Sequence, residues 1–136
     1  MFEHKHQLRV RYAETDQMSY VYYGNYAQYY EVGRVEAMRS LGLSYASMET
    51  EWGVMMPVMK MEIEFLRPAF YDELLTLETT IPVLPERDII FQSSIFNERN
   101  KIVNKGKITL CFIDSNTKKR VNAPEFLLDK MRQYYV

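Results

Sequence analysis

Apolar and polar residues alternate near the start of the chain, which is the pattern of a strand with one buried face. The apolar positions Leu8, Val10 and Tyr12 are separated by polar ones. This period of two predicts a first strand over residues 7–13, with its apolar side chains turned toward the core.

The period then changes to that of a helix. Small and aromatic residues recur at spacings of three and four, namely Tyr26, Tyr30, Gly33, Ala37 and Leu41. We expect a helix from Asn25 to about Leu41, with Asn25 as its N-terminal cap and Gly42 as its C-terminal stop. A glycine inside a helix costs about 1 kcal/mol relative to alanine, so Gly33 indicates that the helix backbone lies close to another surface, such as a sheet.

Beyond Gly53 the period of two returns and indicates strands. Apolar residues alternate with glutamates over residues 61–65 until Arg67 and Pro68 interrupt the pattern. Three further strands are predicted over residues 74–83, 88–97 and 102–114, with turn-forming residues between them. Such short connections favour antiparallel neighbours.

Two shorter helices complete the predicted elements. One covers residues 45–51, between the long helix and the later strands. The other closes the chain, with Pro124 near its first turn and Leu127, Met131 and Tyr134 on one face.

The order of these elements is strand, long helix and then at least four consecutive strands. It predicts an α+β fold in which an antiparallel sheet curls around one long central helix. A length of 136 residues with 47% hydrophobic residues suits one ordinary domain, so we expect a single domain over residues 1–136.

Charge and apolar runs narrow the range of partners. The 17 basic and 18 acidic residues give a net charge of -1, so electrostatics offer no reason to expect nucleic acid or an anionic membrane as a partner. No apolar run approaches the ~18–20 residues that span a bilayer. We therefore expect a cytoplasmic protein that does not insert into membranes.

Cysteine and histidine offer little chemistry. The single cysteine, Cys111, excludes an internal disulfide and a cysteine-based zinc cage, and its apolar surroundings predict that it is buried. His4 and His6 stand at alternate positions, but two imidazoles without a third ligand are weak support for a metal site. We expect neither metal nor cofactor.

Carboxylates remain as candidate catalytic groups, and Asp16 is the best placed. It lies between the first strand and the long helix, with apolar and aromatic residues downstream. Partial removal from water would make its carboxylate a better base or nucleophile, although the same burial would raise its pKa. The structural alternative is that Asp16 is only a turn or capping residue before a helix.

The start of the helix supplies a second chemical group. Backbone N–H groups around Tyr23, Gly24 and Asn25 can polarise an acyl carbonyl and stabilise a developing oxyanion. Glu14 lies two residues before Asp16, but in an extended loop their side chains point to opposite sides, which argues against a shared proton.

A charged pair and a cluster of tyrosines on or near the helix are better explained by structure than by catalysis. Glu31 and Arg34 are three residues apart on the helix and are expected to form an ion pair. The tyrosines of residues 20–30 are more typical of a core or an interface than of a cofactor site.

Several stretches of this sequence resemble the hotdog-fold acyl-CoA thioesterases of the 4-hydroxybenzoyl-CoA thioesterase/YbgC type. The first comprises residues 12–16 (YAETD) and 21–26 (VYYGNY), followed by Tyr30, Glu31 and Arg34. The second comprises residues 63–74 (IEFLRPAFYDEL). Together with the strand order, the resemblance extends over nearly the whole chain.

The resemblance implies hydrolysis of an acyl-CoA thioester to the free acid and coenzyme A. Asp16 would act as nucleophile or as general base toward water, and the backbone N–H of Tyr23 would polarise the thioester carbonyl. Many relatives of the YbgC branch carry histidine at the position of Tyr23, so tyrosine removes one titratable group here. Where those relatives have a small glycine-rich turn, this chain has Gln17, Met18 and Ser19.

The resemblance also implies contacts to the substrate. Residues expected to bind it are Gly24, Asn25, Tyr26, Val58 and Met59. The coenzyme A phosphates would meet basic surface groups, with Arg87, Lys118, Lys119 and Arg120 as candidates.

Hotdog domains pair two subunits into one continuous sheet, so the resemblance implies a homodimer, with a homotetramer as a further possibility. Active sites then lie between the long helix of one subunit and the strands of its neighbour, and residues 56–59 would complete the partner's site. Alternatives for the function are hydrolysis of acyl groups on acyl carrier protein and a non-catalytic acyl-binding or assembly protein. The presence of Asp16 favours an enzyme.

Overall fold

The structure is a computed structural model that describes all 136 residues. Its strands and helices, in chain order, are β1 (Phe2–Arg9), α1 (Tyr26–Ser40), α2 (Tyr45–Trp52), β2 (Val54–Met55), β3 (Val58–Phe65), β4 (Leu74–Ile81), β5 (Asp88–Phe96), β6 (Ile102–Asp114), β7 (Arg120–Val121) and α3 (Glu125–Met131). Short 3₁₀ turns cover Tyr12–Glu14, Tyr23–Asn25 and Arg132–Tyr134. The predicted α+β arrangement is confirmed.

The sheet is antiparallel throughout and is organised around its longest strand, β6. Its main path runs β1-β4-β5-β6, and β3 pairs with the other side of β6. The short strands β2 and β7 pair with residues 112–114 near the end of β6. Strands β1 and β3 are therefore the long edge strands of one subunit.

Helix α1 lies against β1, β4 and β5, and its predicted apolar face is buried. A Cβ atom added to Gly33 would lie 2.8 Å from the Thr79 side-chain oxygen, so only glycine fits this approach without a shift. Gly106 of β6 similarly leaves room for the ring of Tyr30, which a Cβ there would meet at 2.8 Å. The close contact predicted from Gly33 is confirmed.

The predicted C-terminal stop of α1 is also confirmed. Gly42 has a φ of +81°, a left-handed conformation that favours glycine. Its N–H donates to the Arg39 carbonyl at 2.9 Å, and the N–H of Leu43 donates to the Met38 carbonyl at 3.1 Å. These two bonds form a Schellman motif, which satisfies carbonyls at the helix end.

One prediction about element ends is wrong, and another is right only in position, because Asn25 occupies the N-cap of α1 without capping it through its side chain. The first strand occupies Phe2–Arg9 rather than residues 7–13, because the chain after Arg9 bonds to Asp72 and Glu73 and then turns at Tyr12–Glu14. Asn25 does not cap α1 through its side chain, which instead donates to the Glu14 carbonyl at 2.8 Å.

The prediction of an ion pair between Glu31 and Arg34 is also wrong. Arg34 is buried, with 3% of its surface exposed, whereas Glu31 remains in solvent. The ion pair on this helix joins Glu36 and Arg39 at 3.3 Å.

Cys111 is buried as predicted. None of the helices combines the length and apolar character needed to cross a bilayer.

Candidate active site

Asp16 lies in a tight turn that fixes its carboxylate. Its Oδ1 accepts hydrogen bonds from the N–H groups of Met18 at 2.9 Å and Tyr20 at 3.3 Å. Its own N–H donates to the Tyr20 carbonyl at 2.8 Å, and Ser19 adopts a left-handed φ of 63° to close the turn. The other oxygen, Oδ2, accepts no hydrogen bond from the chain. One oxygen is thus held and the other is free.

The turn is attached to the segment that follows β3. The N–H of Val21 donates to the Ala69 carbonyl at 2.8 Å, and that of Tyr71 donates to the Ser19 carbonyl at 3.0 Å. The rings of Tyr20 and Phe70 meet edge to face, with centroids 5.1 Å apart. Main-chain bonds and aromatic packing therefore fix the position of Asp16 relative to the sheet.

The Glu14 side chain turns toward the core and holds the loop that carries Asp16. Its carboxylate accepts from the N–H of Arg11 at 2.8 Å, from the Arg11 guanidinium at 3.0 Å and from the Tyr29 hydroxyl at 2.9 Å. Burial alone would raise the pKa of the Glu14 carboxyl, but these bonds outweigh it and hold that pKa below its usual value. Glu14 and Asp16 thus point apart and cannot share a proton.

The N-terminus of α1 presents unpaired donors next to this turn. The N–H of Tyr22 donates to the Glu14 carbonyl and that of Asn25 to the Tyr22 carbonyl, whereas the N–H groups of Tyr23 and Gly24 donate to no group in the chain. Free N–H groups and the helix dipole make this end attractive to a negatively charged oxygen. A Cβ on Gly24 would lie 2.9 Å from the exposed Tyr22 ring, so a side chain there would displace that ring.

Asp16 and the start of α1 open into one cleft of about 290 Å³, called here the Asp16 cleft. Its walls are formed by Asp16, Tyr20, Val21, Tyr23, Tyr26, Phe65, Leu66, Arg67 and Pro68. The Phe65 ring packs edge to face against Tyr26, at 5.7 Å, and against Tyr23, at 6.4 Å. The cleft thus joins one carboxylate, one guanidinium and an aromatic wall.

Sequence reasoning missed part of this wall. Residues 65–68 are separated from Asp16 by about fifty positions, and they reach the cleft only because β3 pairs with β6 and the chain then returns past the turn. Two signals mark this segment in the sequence: the interruption of the strand pattern at Arg67 and Pro68, and the resemblance of residues 63–74 to the thioesterase family, but neither predicts contact with Asp16. The Arg67 guanidinium donates to the Ile102 carbonyl at 2.7 Å, which holds it beside the cleft.

Other predicted contacts lie elsewhere in the subunit. Asn25 is committed to the Glu14 carbonyl, so its side chain braces the loop. Val58 and Met59 are exposed at the opposite end of β3 from Phe65, seven residue steps or about 23 Å away.

The basic candidates for phosphate contact are also distant from Asp16 within one chain. Arg120 pairs with Asp88, and Arg87 donates to Asn122 at 3.3 Å. These residues, with Lys118 and Lys119, lie near Ile113 of β6, whereas the Asp16 cleft lies near Asn104. Nine residue steps along β6 separate the two ends, about 30 Å.

Comparison with known proteins gives a consistent set of similarities. A family model described as the thioesterase-like superfamily matches residues 10–131. The YneP protein of Bacillus subtilis (strain 168) is 32% identical over 86% of this chain and 84% of its own length. The acyl-CoA thioester hydrolase YbgC of Escherichia coli O157:H7 is 28% identical over 93% of both chains.

Solved structures agree with the sequence matches. A DHNA-CoA thioesterase from Staphylococcus aureus superposes with a TM-score of 0.89 and 30% identity, over 98% of this chain and 89% of that chain. The similarity therefore extends from the first strand to the closing helix.

Proposed function

The chain belongs to the thioesterase-like superfamily, and from that premise we propose that it hydrolyses acyl-CoA thioesters in the Asp16 cleft. The predicted resemblance and the hotdog fold are confirmed. The observation that carries the proposal is that Asp16, with one free carboxylate oxygen, shares a cleft with Tyr23, at the unpaired N-terminus of α1.

The N–H groups of Tyr23 and Gly24 are proposed to bind the oxygen of the thioester carbonyl. Negative charge grows on that oxygen as the carbonyl carbon becomes tetrahedral, and preorganised donors stabilise it more than they stabilise the ground state. The Tyr23 side chain, by contrast, forms part of the aromatic wall with Phe65. Its proposed catalytic contribution is through the backbone alone.

Asp16 then has two possible roles at the carbonyl carbon. As a nucleophile, its Oδ2 attacks the carbon, the C–S bond breaks, and coenzyme A leaves as a thiolate that takes a proton from water; water then hydrolyses the mixed anhydride. As a general base, Oδ2 removes a proton from water as the water oxygen attacks the carbon; the C–S bond then breaks, and the coenzyme A thiolate leaves and takes up a proton. Label in the Asp16 carboxylate after single turnover in ¹⁸O-water identifies the nucleophilic route, because it requires attack of water on the Asp16 carbon of an anhydride that the general-base route never forms.

The main test is release of free thiol from a panel of acyl-CoAs by the wild type and by Asp16→Asn. Asparagine keeps the size of the side chain but can serve neither as base nor as nucleophile, so we expect the rate to fall by roughly a hundredfold or more. Asp129→Asn, an exposed carboxylate on α3, is the matched control and should retain the wild-type rate. Equal rates for Asp16→Asn and the wild type would contradict the proposal.

Comparing the hydrolysis rates of the same acyl groups on coenzyme A and on acyl carrier protein would identify the preferred carrier.

The active unit is proposed to be a homodimer formed along β3. This strand has eight residues, no proline and one side without a pairing strand. Apolar side chains stand exposed at both ends, with Val58 45% and Phe65 55% accessible. Such an open edge readily pairs with another strand. A homotetramer would add contacts on other faces.

A two-fold axis near the middle of β3 would place the Val58 end of one strand beside the Phe65 end of the other. The partner subunit's Val58 and Met59 would then close the Asp16 cleft. The same pairing would bring the distant basic residues toward that cleft from the partner, where Arg87, Lys118, Lys119 and Arg120 are proposed to contact the coenzyme A phosphates. Arg67 is a further candidate contact from the subunit that supplies Asp16.

A further inference from the structure

Helix α1 buries a positive charge that has no counter-charge in the subunit. Arg34 is 3% exposed, and its Nε and Nη1 atoms are buried without a hydrogen-bond partner. A guanidinium remains protonated at every physiological pH. Burial of an unpaired charge is strongly unfavourable, so an acceptor from outside the subunit would relieve a real cost.

Tyr45, the first residue of α2, adds a second unused donor at the same place. Its hydroxyl is buried beside the Arg34 guanidinium, close enough for its oxygen to accept from Arg34, and its own proton has no acceptor. Burial raises the pKa of this hydroxyl, although the Arg34 cation opposes the shift, so the hydroxyl stays protonated at neutral pH. The Nε and Nη1 N–H groups of the guanidinium and the hydroxyl proton therefore lack an acceptor within the subunit.

Tyr45 also forms part of the wall of a largely apolar cavity of about 250 Å³. The other residues around this cavity, called here the α2 cavity, are Met48, Glu49, Val54, Met55, Met56 and Pro57. Glu49 is exposed to solvent and makes no ion pair with Arg34, so its charge remains hydrated. The cavity thus has apolar walls and a tyrosine that links it to the buried cation.

The α2 cavity lies at the end of β3 opposite to the Asp16 cleft of the same subunit. Pro57 directly precedes Val58, about 23 Å along the strand from Phe65. In the dimer proposed above, the Val58 end of one strand lies beside the Phe65 end of the other. Each cavity then lies at the same end of the paired strands as the partner's Asp16 cleft, so an acyl group bound at one cleft can extend toward the partner's cavity.

We propose that the α2 cavity receives the far end of the acyl group and that Arg34 and Tyr45 bind a carboxylate there. The preferred substrates would then be acyl-CoAs whose acyl chain ends in a carboxylate. A carboxylate accepts several hydrogen bonds and supplies the charge that Arg34 lacks. This inference rests on the proposed thioesterase activity and on the proposed dimer.

The test compares pairs of acyl-CoAs with the same number of carbons, ending either in a methyl group or in a carboxylate. We expect the wild type to have a kcat/KM at least tenfold higher for the carboxylate-ended member at one chain length. In Arg34→Met this ratio should fall at least tenfold, and in Tyr45→Phe it should fall by a smaller factor. Arg39→Met, which removes an exposed arginine of the same helix, is the matched control and should leave the ratio unchanged.

The outcomes separate this inference from the proposed function. If methyl-ended substrates are hydrolysed in an Asp16-dependent manner but the carboxylate gives no advantage, the inference is wrong and the thioesterase stands. A preference for the carboxylate that survives Arg34→Met also overturns the inference. If the wild type hydrolyses neither member of any pair, the proposed function itself fails.

A binding measurement on the wild type covers the case in which Arg34→Met does not fold. Trp52, the single tryptophan, lies on α2 and stacks on Phe126, so its fluorescence reports on the helix beside the cavity. We expect free dicarboxylates to bind at least tenfold more tightly than monocarboxylates of equal length. Equal affinities would contradict the inference without any substitution.

Mixed dimers test the assignment to the partner. A dimer of one Asp16→Asn subunit and one Arg34→Met subunit keeps one site in which an intact Asp16 faces the partner's intact Arg34. We expect that hybrid to retain the wild-type ratio. Loss of the ratio in the hybrid would show that Asp16 and Arg34 act within one subunit, contrary to the inference.

Discussion

At the scale of single residues, two carboxylates only two positions apart have opposite surroundings. Asp16 is exposed to the cleft through one free oxygen, whereas Glu14 is buried and fully bonded. Sequence reasoning identified Asp16 from its place between a strand and a helix and expected Glu14 to point away. It could not identify the partners of Glu14, because Tyr29 approaches it only when α1 folds back over the loop.

Glu14 should contribute to stability in a pH-dependent manner. Its folded-state pKa lies below the unfolded value of about 4.3, so its contribution is present at neutral pH and is lost as the pH falls through the folded-state pKa. We expect Glu14→Gln to lower the free energy of unfolding by about 2 kcal/mol at pH 7, the scale of charged hydrogen bonds. Urea denaturation of both proteins between pH 7 and pH 3 measures the difference, which should shrink in acid.

Tyr29→Phe provides the control for this prediction. It removes one neutral donor from Glu14 and should cost less at pH 7, about 1 kcal/mol. A difference between wild type and Glu14→Gln that stays constant through the acid range would show that the carboxylate charge contributes nothing.

At the scale of elements, the periods of hydrophobic residues predicted every long strand and helix, but not all of their ends. β6 occupies the predicted residues 102–114, since alternation and turn residues both define it. β1 was misplaced because the alternation continues through Val10 and Tyr12, whereas the main-chain partners of that segment belong to residues 72 and 73. Pairing across sixty residues leaves no mark in the local pattern.

Gly33 allows a direct test of the contact between α1 and the sheet. In Gly33→Ala the new Cβ would overlap the Thr79 side-chain oxygen, and overpacking costs roughly 1–3 kcal/mol, which exceeds the gain of about 1 kcal/mol in helix propensity. We expect a net loss of about 1 kcal/mol in the free energy of unfolding, measured by chemical denaturation.

Thr79→Ala turns this test into a double-mutant cycle. It removes the overlapping oxygen, which is buried and has no hydrogen-bond partner. In that background Gly33→Ala should become neutral or stabilising, because only the propensity gain remains. An equal loss in both backgrounds would place the origin of the glycine requirement elsewhere.

At the scale of the whole molecule, the groups proposed to cleave the substrate and those proposed to bind it lie far apart within one subunit. The Asp16 cleft lies at one end of β3, and the predicted contacts Val58 and Met59 lie at the other. Asp16 is indicated by its place between a strand and a helix, whereas Val58 and Met59 are indicated only by the resemblance. Neither length nor spacing shows that the two groups stand about 23 Å apart in one chain. The proposed dimer along β3 would bring them together.

Adding charges to the free edge of β3 should therefore separate the subunits and, as a result, reduce activity. In Val58→Lys/Met59→Lys the two exposed apolar residues become cations, which oppose strand pairing. We expect light scattering after size exclusion to show a monomer, and kcat/KM to fall at least tenfold. Val83→Lys, at an exposed apolar residue between β4 and β5, should remain dimeric and active. A charged-edge variant that is monomeric and fully active would contradict the shared site.

The open edge of β3 has a consequence for any subunit that is not paired along this strand. A newly made subunit displays eight residues of unpaired backbone between exposed apolar ends, which is a template for misassembly. Lys60, Glu62 and Glu64 place charges along this strand and act as gatekeepers against foreign strands. We therefore expect the isolated subunit, rather than the dimer, to be the species lost to aggregation during dilute storage.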